Sequence, residues 1–253
     1  MLHRLFPLRL AFLFVVGILS AWPPASACPE SAAESSSKSP IIVIGFLGGY
    51  VSHTSLFHSE VQLAAQLCRD YPADVVAEAF ENHHAELAHQ EILKLLDTDH
   101  DGSLSPEEKK NARIIIYGHS WGASETVNLA RQLEKEGVPI QLTIQVDSVG
   151  KRGQNDSLIP ANVRQAANFY QSGGILHSRA EIRAADPART QIIGNFRFDY
   201  KGSTLTCEKY PWWDRYFVKS HTQIECDPKV WTQIDSLIRS SLPHRVTTAS
   251  LGN

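Results

Sequence analysis

Unbroken apolar runs alternate with helical periodicities along the middle of the chain. Ile41-Ile42-Val43-Ile44 runs into Gly45 without a polar residue, as a strand covered on both faces does. Leu56, Val61, Leu63, Ala64 and Leu67 recur at helical spacing and predict a helix over Ser55–Arg69. The same reading predicts strands at Val75–Ala77, Arg113–Tyr117 and Ile140–Val146, and helices at Ala85–Leu96 and Ala123–Glu136. Further on, Val163–Tyr170 has helical spacing, Thr190–Phe198 reads as a fifth strand, and Asp227–Leu242 places Trp231, Ile234 and Leu237 on one face of a closing helix. Strands and helices in alternation imply an α/β fold, a mostly parallel, doubly wound sheet with helices on both faces.

The ends of the chain break this alternation. Residues 1–27 carry a basic start (His3, Arg4, Arg9), an apolar run from Leu10 to Leu19 and an Ala25-Ser26-Ala27 cleavage site, the pattern of an export signal peptide. The run is too short to span a bilayer, so removal leaves no transmembrane span and a secreted or periplasmic protein. Residues 28–40 are Ser- and Ala-rich and read as a flexible leader, and residues 41–253 as one domain. Cys28 follows the cleavage site directly, so a lipid anchor there is the alternative to free release. The other cysteines are Cys68, Cys207 and Cys226; an oxidising compartment permits disulfides, with Cys207–Cys226 the preferred pair. A lipidated Cys28 would leave Cys68 as a buried, unpaired thiol.

Of 253 residues, 43% are hydrophobic and 20% charged, enough for a substantial core. The formal net charge is −3, and loss of a segment containing Arg4 and Arg9 makes it more acidic. Nucleic acid and anionic lipid, which need clustered Lys and Arg, are therefore excluded as main partners. No G-x-G-x-x-G or Walker motif is present, and no organic cofactor is expected.

Gly118-His119-Ser120-Trp121-Gly122 lies between a predicted strand and a predicted helix. G-x-S-x-G in that setting makes a sharp turn that exposes a strained serine hydroxyl above the sheet. Here the chain resembles the α/β-hydrolase superfamily, serine esterases and lipases among them, over most of residues 41–242. The resemblance implies that Ser120 is the nucleophile. Gly45-Phe46-Leu47-Gly48-Gly49 resembles the family's oxyanion loop, with Ile44 where histidine often stands, and implies that the Phe46 and Trp121 amides hold the oxyanion.

A serine nucleophile needs an imidazole base and a carboxylate to orient it, in the family's chain order of Ser, acid, His. His221 is the histidine placed late and just before the closing helix, whereas His177 precedes the fifth strand and His244 follows the last helix. Two carboxylates compete for the acid. Asp147 ends the fourth strand and is favoured because an apolar strand runs straight into it; Asp199 ends the fifth, and Asp214 is a third candidate. Tyr210-Pro211-Trp212-Trp213, with Trp121, would line an acyl pocket or stack on a sugar ring.

A second motif sits between the second helix and the third strand. Asp97, Asp99, Asp101, the Ser103 carbonyl, Ser105 and Glu108 occupy the ligand positions of a single EF-hand loop, with Gly102 at its turn and Leu104 as its apolar residue. A structural calcium ion is expected there. Taken together, the chain reads as an exported serine hydrolase acting on a small acyl ester, without a sizeable lid insertion. A non-catalytic, calcium-dependent binding module on the same scaffold is the alternative.

Overall fold

A computed structural model describes residues 39–243; the export signal, Cys28, most of the leader and His244 lie outside the described residues. The chain runs β1 (Ile41–Leu47), α1 (Ser59–Asp70), β2 (Val75–Glu81), α2 (Ala85–Leu96), α3 (Pro106–Asn111), β3 (Ile114–His119), α4 (Trp121–Lys135) and β4 (Ile140–Val146). It continues through β5 (Leu158–Ile159), β6 (Val163–Ser172), β7 (Arg183–Ala184), β8 (Gln191–Asp199), α5 (Trp212–Phe217), α6 (Lys219–Cys226) and α7 (Pro228–Ser240). Six strands form one parallel sheet in the order β2-β1-β3-β4-β6-β8, and β5 pairs with β7 apart from it.

Two cores follow from the strands' two-residue period. Ile41, Val43 and Leu47 face one core with residues of α1, α6 and α7, while Ile42, Ile44 and Phe46 face the other with residues of α2 and α4. Every residue of β1 and β3 is buried, which explains why these strands read as apolar runs. The doubly wound parallel sheet is thus the expected fold class. No helix among the described residues is long and apolar enough to cross a membrane.

Val163–Tyr170 corrects the sequence reading: it is a strand, not a helix. Its Val163, Ala166 and Ala167 mimic helical spacing because β6 lies between β4 and β8 and buries side chains on both faces. Within it Asn168 Nδ2 donates to the Arg179 carbonyl (2.9 Å) and to Asn195 Oδ1 (3.1 Å). Pairing on both edges overrides the weak local preference. Helices α5 and α6 were also illegible, because α5 buries no side chain and α6 buries mainly polar ones, so neither carries an apolar stripe.

Candidate active site

The turn between β3 and α4 is a single residue, Ser120, at φ 57° and ψ −123°. A side chain rarely adopts that conformation, at a cost of about 1–3 kcal/mol that the surrounding structure must enforce. Glycine enforces it here by close approach. A Cβ on Gly122 would sit 2.2 Å from the Phe46 carbonyl oxygen, and one on Gly118 would sit 2.6 Å from that of Gly122. The start of α4 therefore rests directly on the backbone of β1. The Ser120 amide donates to the Val146 carbonyl at 2.9 Å, tying the turn to the end of β4.

At that end Asp147 is wholly buried and also takes a positive φ, 46°. Its amide donates to the Phe169 carbonyl at 2.7 Å, and its Oδ1 accepts the Gln171 amide at 3.0 Å. Its Oδ2 lies 2.6 Å from His221 Nδ1, and His221 Nε2 lies 2.9 Å from Ser120 Oγ. A carboxylate at Nδ1 fixes that proton, leaving Nε2 to accept from the serine hydroxyl. Ser120, His221 and Asp147 are thus brought together. Asp199 is not part of this group: it is exposed and accepts the Lys201 amide at 2.9 Å. Asp214 lines the cavity and offers its carbonyl to the Thr222 hydroxyl at 3.0 Å, while His177 is exposed. His221 lies on α6, just before the closing helix α7.

The site opens into a cavity of about 300 Å³ whose lining includes Ser120, His221, Trp121, Val149, Leu176 and Tyr210. Trp212 and Trp213 are exposed on α5 instead, at 62% and 52%. Cys207 and Cys226 form the expected disulfide, Cα atoms 5.9 Å apart, joining the segment before α5 to the end of α6. No described cysteine is free, so the unpaired Cys68 thiol is not found. Phe46 departs from its assigned role. It is in register with Gly118, and the alternation that sends the Ile42 amide to the Arg113 carbonyl (2.9 Å) commits the Phe46 amide to the β1–β3 ladder. Gly48 and Gly49, just past β1, line the cavity. Trp121 opens α4, where helical amides lack partners inside the helix.

Beneath the base lies a cluster that no sequence motif announces. The His119 ring packs on that of His221, centroids 4.5 Å apart. Burial lowers the His119 imidazole from an ordinary 6.5 to about 4, so it is neutral at pH 7. Glu225, one turn after His221 on α6, is hydrogen-bonded by His58 Nδ1. Glu60 is completely buried in the same place; burial first, and the charge of Glu225 second, raise its pKa well above the usual carboxylate value.

The 97–108 segment joins α2 to α3. Asp97 Oδ2 accepts the Gly102 amide at 3.0 Å, with Gly102 at φ +84°, and Asp101 Oδ1 accepts the Ser103 amide at 2.8 Å. Carboxylate oxygens of Asp97, Asp99 and Glu108 converge within 4.8 Å. Ser105 caps α3 reciprocally with Glu108, whose carboxyl the Ser105 and Thr98 amides hold at about 2. Leu104 packs on the core that contains α2. The donor set is all oxygen and fits a hard cation such as calcium.

No family model and no curated protein matches the chain. Among solved structures it is similar to an esterase from Pseudomonas putida, at 9% identity over 84% of this chain and 77% of that one, with a TM-score of 0.44. Similarity to a dienelactone hydrolase from Anabaena variabilis is 9% identity over 80% and 85%, with a TM-score of 0.41. For an acetyl xylan esterase it is 12% over 81% and 99%, with a TM-score of 0.41. Likeness this distant carries no argument about activity, which rests on the geometry.

Proposed function

We propose that the protein is an exported serine hydrolase of α/β-hydrolase type that cleaves a carboxylic ester or related acyl substrate. The observation that carries this reading is the hydrogen-bonded line from Asp147 through His221 to a strained Ser120, at 2.6 and 2.9 Å. In this reading Ser120 Oγ attacks the acyl carbonyl while His221 Nε2 takes its proton. The imidazolium then protonates the leaving alcohol, and water, deprotonated by the same nitrogen, releases the acid from the acyl-enzyme. Asp147 holds the ring and balances its charge. The negative oxygen of the tetrahedral intermediate is met by the Trp121 amide and by peptide N–H groups at the Gly48–Gly49 edge, with Phe46 excluded by its place in the ladder.

A cavity of about 300 Å³ lined by Val149, Leu176 and Val218 suits a small acyl group. The 97–108 loop is assigned a structural calcium ion, held by Asp97, Asp99, Asp101, the Ser103 carbonyl and Glu108, with Ser105 reaching it through water. There the ion neutralises clustered carboxylates and steadies the entry to β3.

The test is a series of p-nitrophenyl esters of increasing acyl length, assayed with the wild type and Ser120→Ala. Turnover of short esters, with a burst of nitrophenol and loss of both in Ser120→Ala, is expected. No turnover of any member by folded, calcium-loaded wild type would reject the reading.

A further inference from the structure

Four side chains from three elements converge below the base, and the triad uses none of them. His58 precedes α1, Glu60 lies in its first turn, His119 ends β3, and Glu225 is on α6. Coordinating atoms of His58, Glu60 and Glu225 all lie within 4.8 Å of one another. His119 Nδ1 is 3.4 Å from Glu225 Oε2 and 3.9 Å from Glu60 Oε1. We propose that His58, Glu60 and Glu225, with His119 packed beside them, form a second metal site, specific for a zinc-like divalent ion and distinct from the 97–108 loop.

The argument begins with an unmet need. Both Glu60 oxygens are inaccessible and have no hydrogen-bond partner. A fully buried carboxylate without a partner is costly whether it is ionised, when its charge is uncompensated, or protonated, when its hydroxyl has no acceptor. His58 supplies at most one positive charge, and it is directed at Glu225. A divalent ion between the groups offsets both carboxylates at once.

Spacing and chemistry select the ion. Ligands about 2.0–2.1 Å from a tetrahedral zinc sit about 3.3 Å from one another, so the donor atoms of His58, Glu60 and Glu225, all within 4.8 Å, would draw together to hold one. One imidazole with two carboxylates, from His58, Glu60 and Glu225, suits zinc with a fourth position left open, whereas calcium asks for six to eight oxygens. His58 and Glu225 also line the catalytic cavity, which gives the ion a way in. Once bound, it would clamp the start of α1 to α6, the helix that carries His221.

The test uses the purified full-length protein, stripped with a chelator and then held in millimolar calcium to fill the loop. Titration with zinc chloride, followed by calorimetry and by metal analysis after desalting, should give one zinc per chain and a higher Tm. Glu60→Gln and His58→Ala, each with an unchanged far-ultraviolet spectrum, should bind zinc at least roughly tenfold more weakly, and His177→Ala should bind as wild type does. His58 is at the rim of the cluster, so His58→Ala still decides the matter if Glu60→Gln does not fold. No zinc bound at micromolar concentration would overturn the proposal. So would zinc binding that both variants retain, or that Asp97→Asn abolishes.

Discussion

The triad and the acidic loop are both sets of carboxylate-centred contacts, built in opposite ways. The triad joins residues 74 and 101 positions apart, and its acid is wholly buried. The loop runs through consecutive residues, most of them exposed, and its hydrogen bonds span at most ten positions, from Thr98 to Glu108. The first arrangement exists only when β3, β4 and α6 are all in place, whereas the second needs little beyond a glycine turn and a helix cap. Damage to the fold should therefore separate them.

The largest separation is expected from Asp147→Asn, which leaves His221 in the wrong tautomer and should lower kcat about 10⁴-fold. Calcium affinity should not change, and Asp199→Asn, at an exposed site, should leave ester turnover within about twofold of wild type. Equal losses in the two variants, measured by steady-state kinetics, would undo the assignment of the acid.

The disulfide tests the next level. Replacing Cys207 and Cys226 together with serine frees a 19-residue separation in the unfolded chain and should cost about 3 kcal/mol in urea unfolding. Activity should decline with it, since α6 bears the base, while calcium binding by the loop should persist.

Titration sharpens the contrast between buried and exposed. His119 titrates at about 4 when folded against 6.5 ordinarily. Between these values the unfolded chain binds a proton that the folded chain refuses, so stability falls as pH drops through this window. The loss approaches about 3 kcal/mol at its lower end. Urea unfolding of chelator-treated protein at several pH values should show this slope, and His119→Gln should flatten it.

The smallest effect belongs to the loop. Chelation of calcium, or Glu108→Gln, should lower Tm by roughly 2–4 °C and leave the identity of the nucleophile unchanged. A Tm indifferent to both treatments would remove calcium from the account.

These differences also explain what could be read from the sequence. The Ile41–Ile44 and Ile114–Tyr117 runs and the serine turn are local patterns, and each marks an element or a junction at or near its observed place. Val163–Tyr170 failed because a strand buried on both faces has no alternation to show. His221 could be singled out by chain order but not placed on a helix, since α6 is held by hydrogen bonds from polar residues instead of an apolar stripe. The pairing of Asp147 with His221 depends on the register of β4 against β6, which delivers the Gln171 amide to the carboxylate. No stretch of sequence carries that register. The Glu60–Glu225 cluster is invisible for the same reason: its members become neighbours only through the packing of α1 against β3 and α6.

The central claim is that Asp147 and His221 activate Ser120, and covalent labelling tests it most directly. A fluorophosphonate probe should modify the calcium-loaded wild type once per chain, with the adduct on Ser120 by mass spectrometry. Ser120→Ala and His221→Ala should stay unlabelled over the same time. A folded wild type that fails to react, or a His221→Ala variant that reacts as fast, would contradict it.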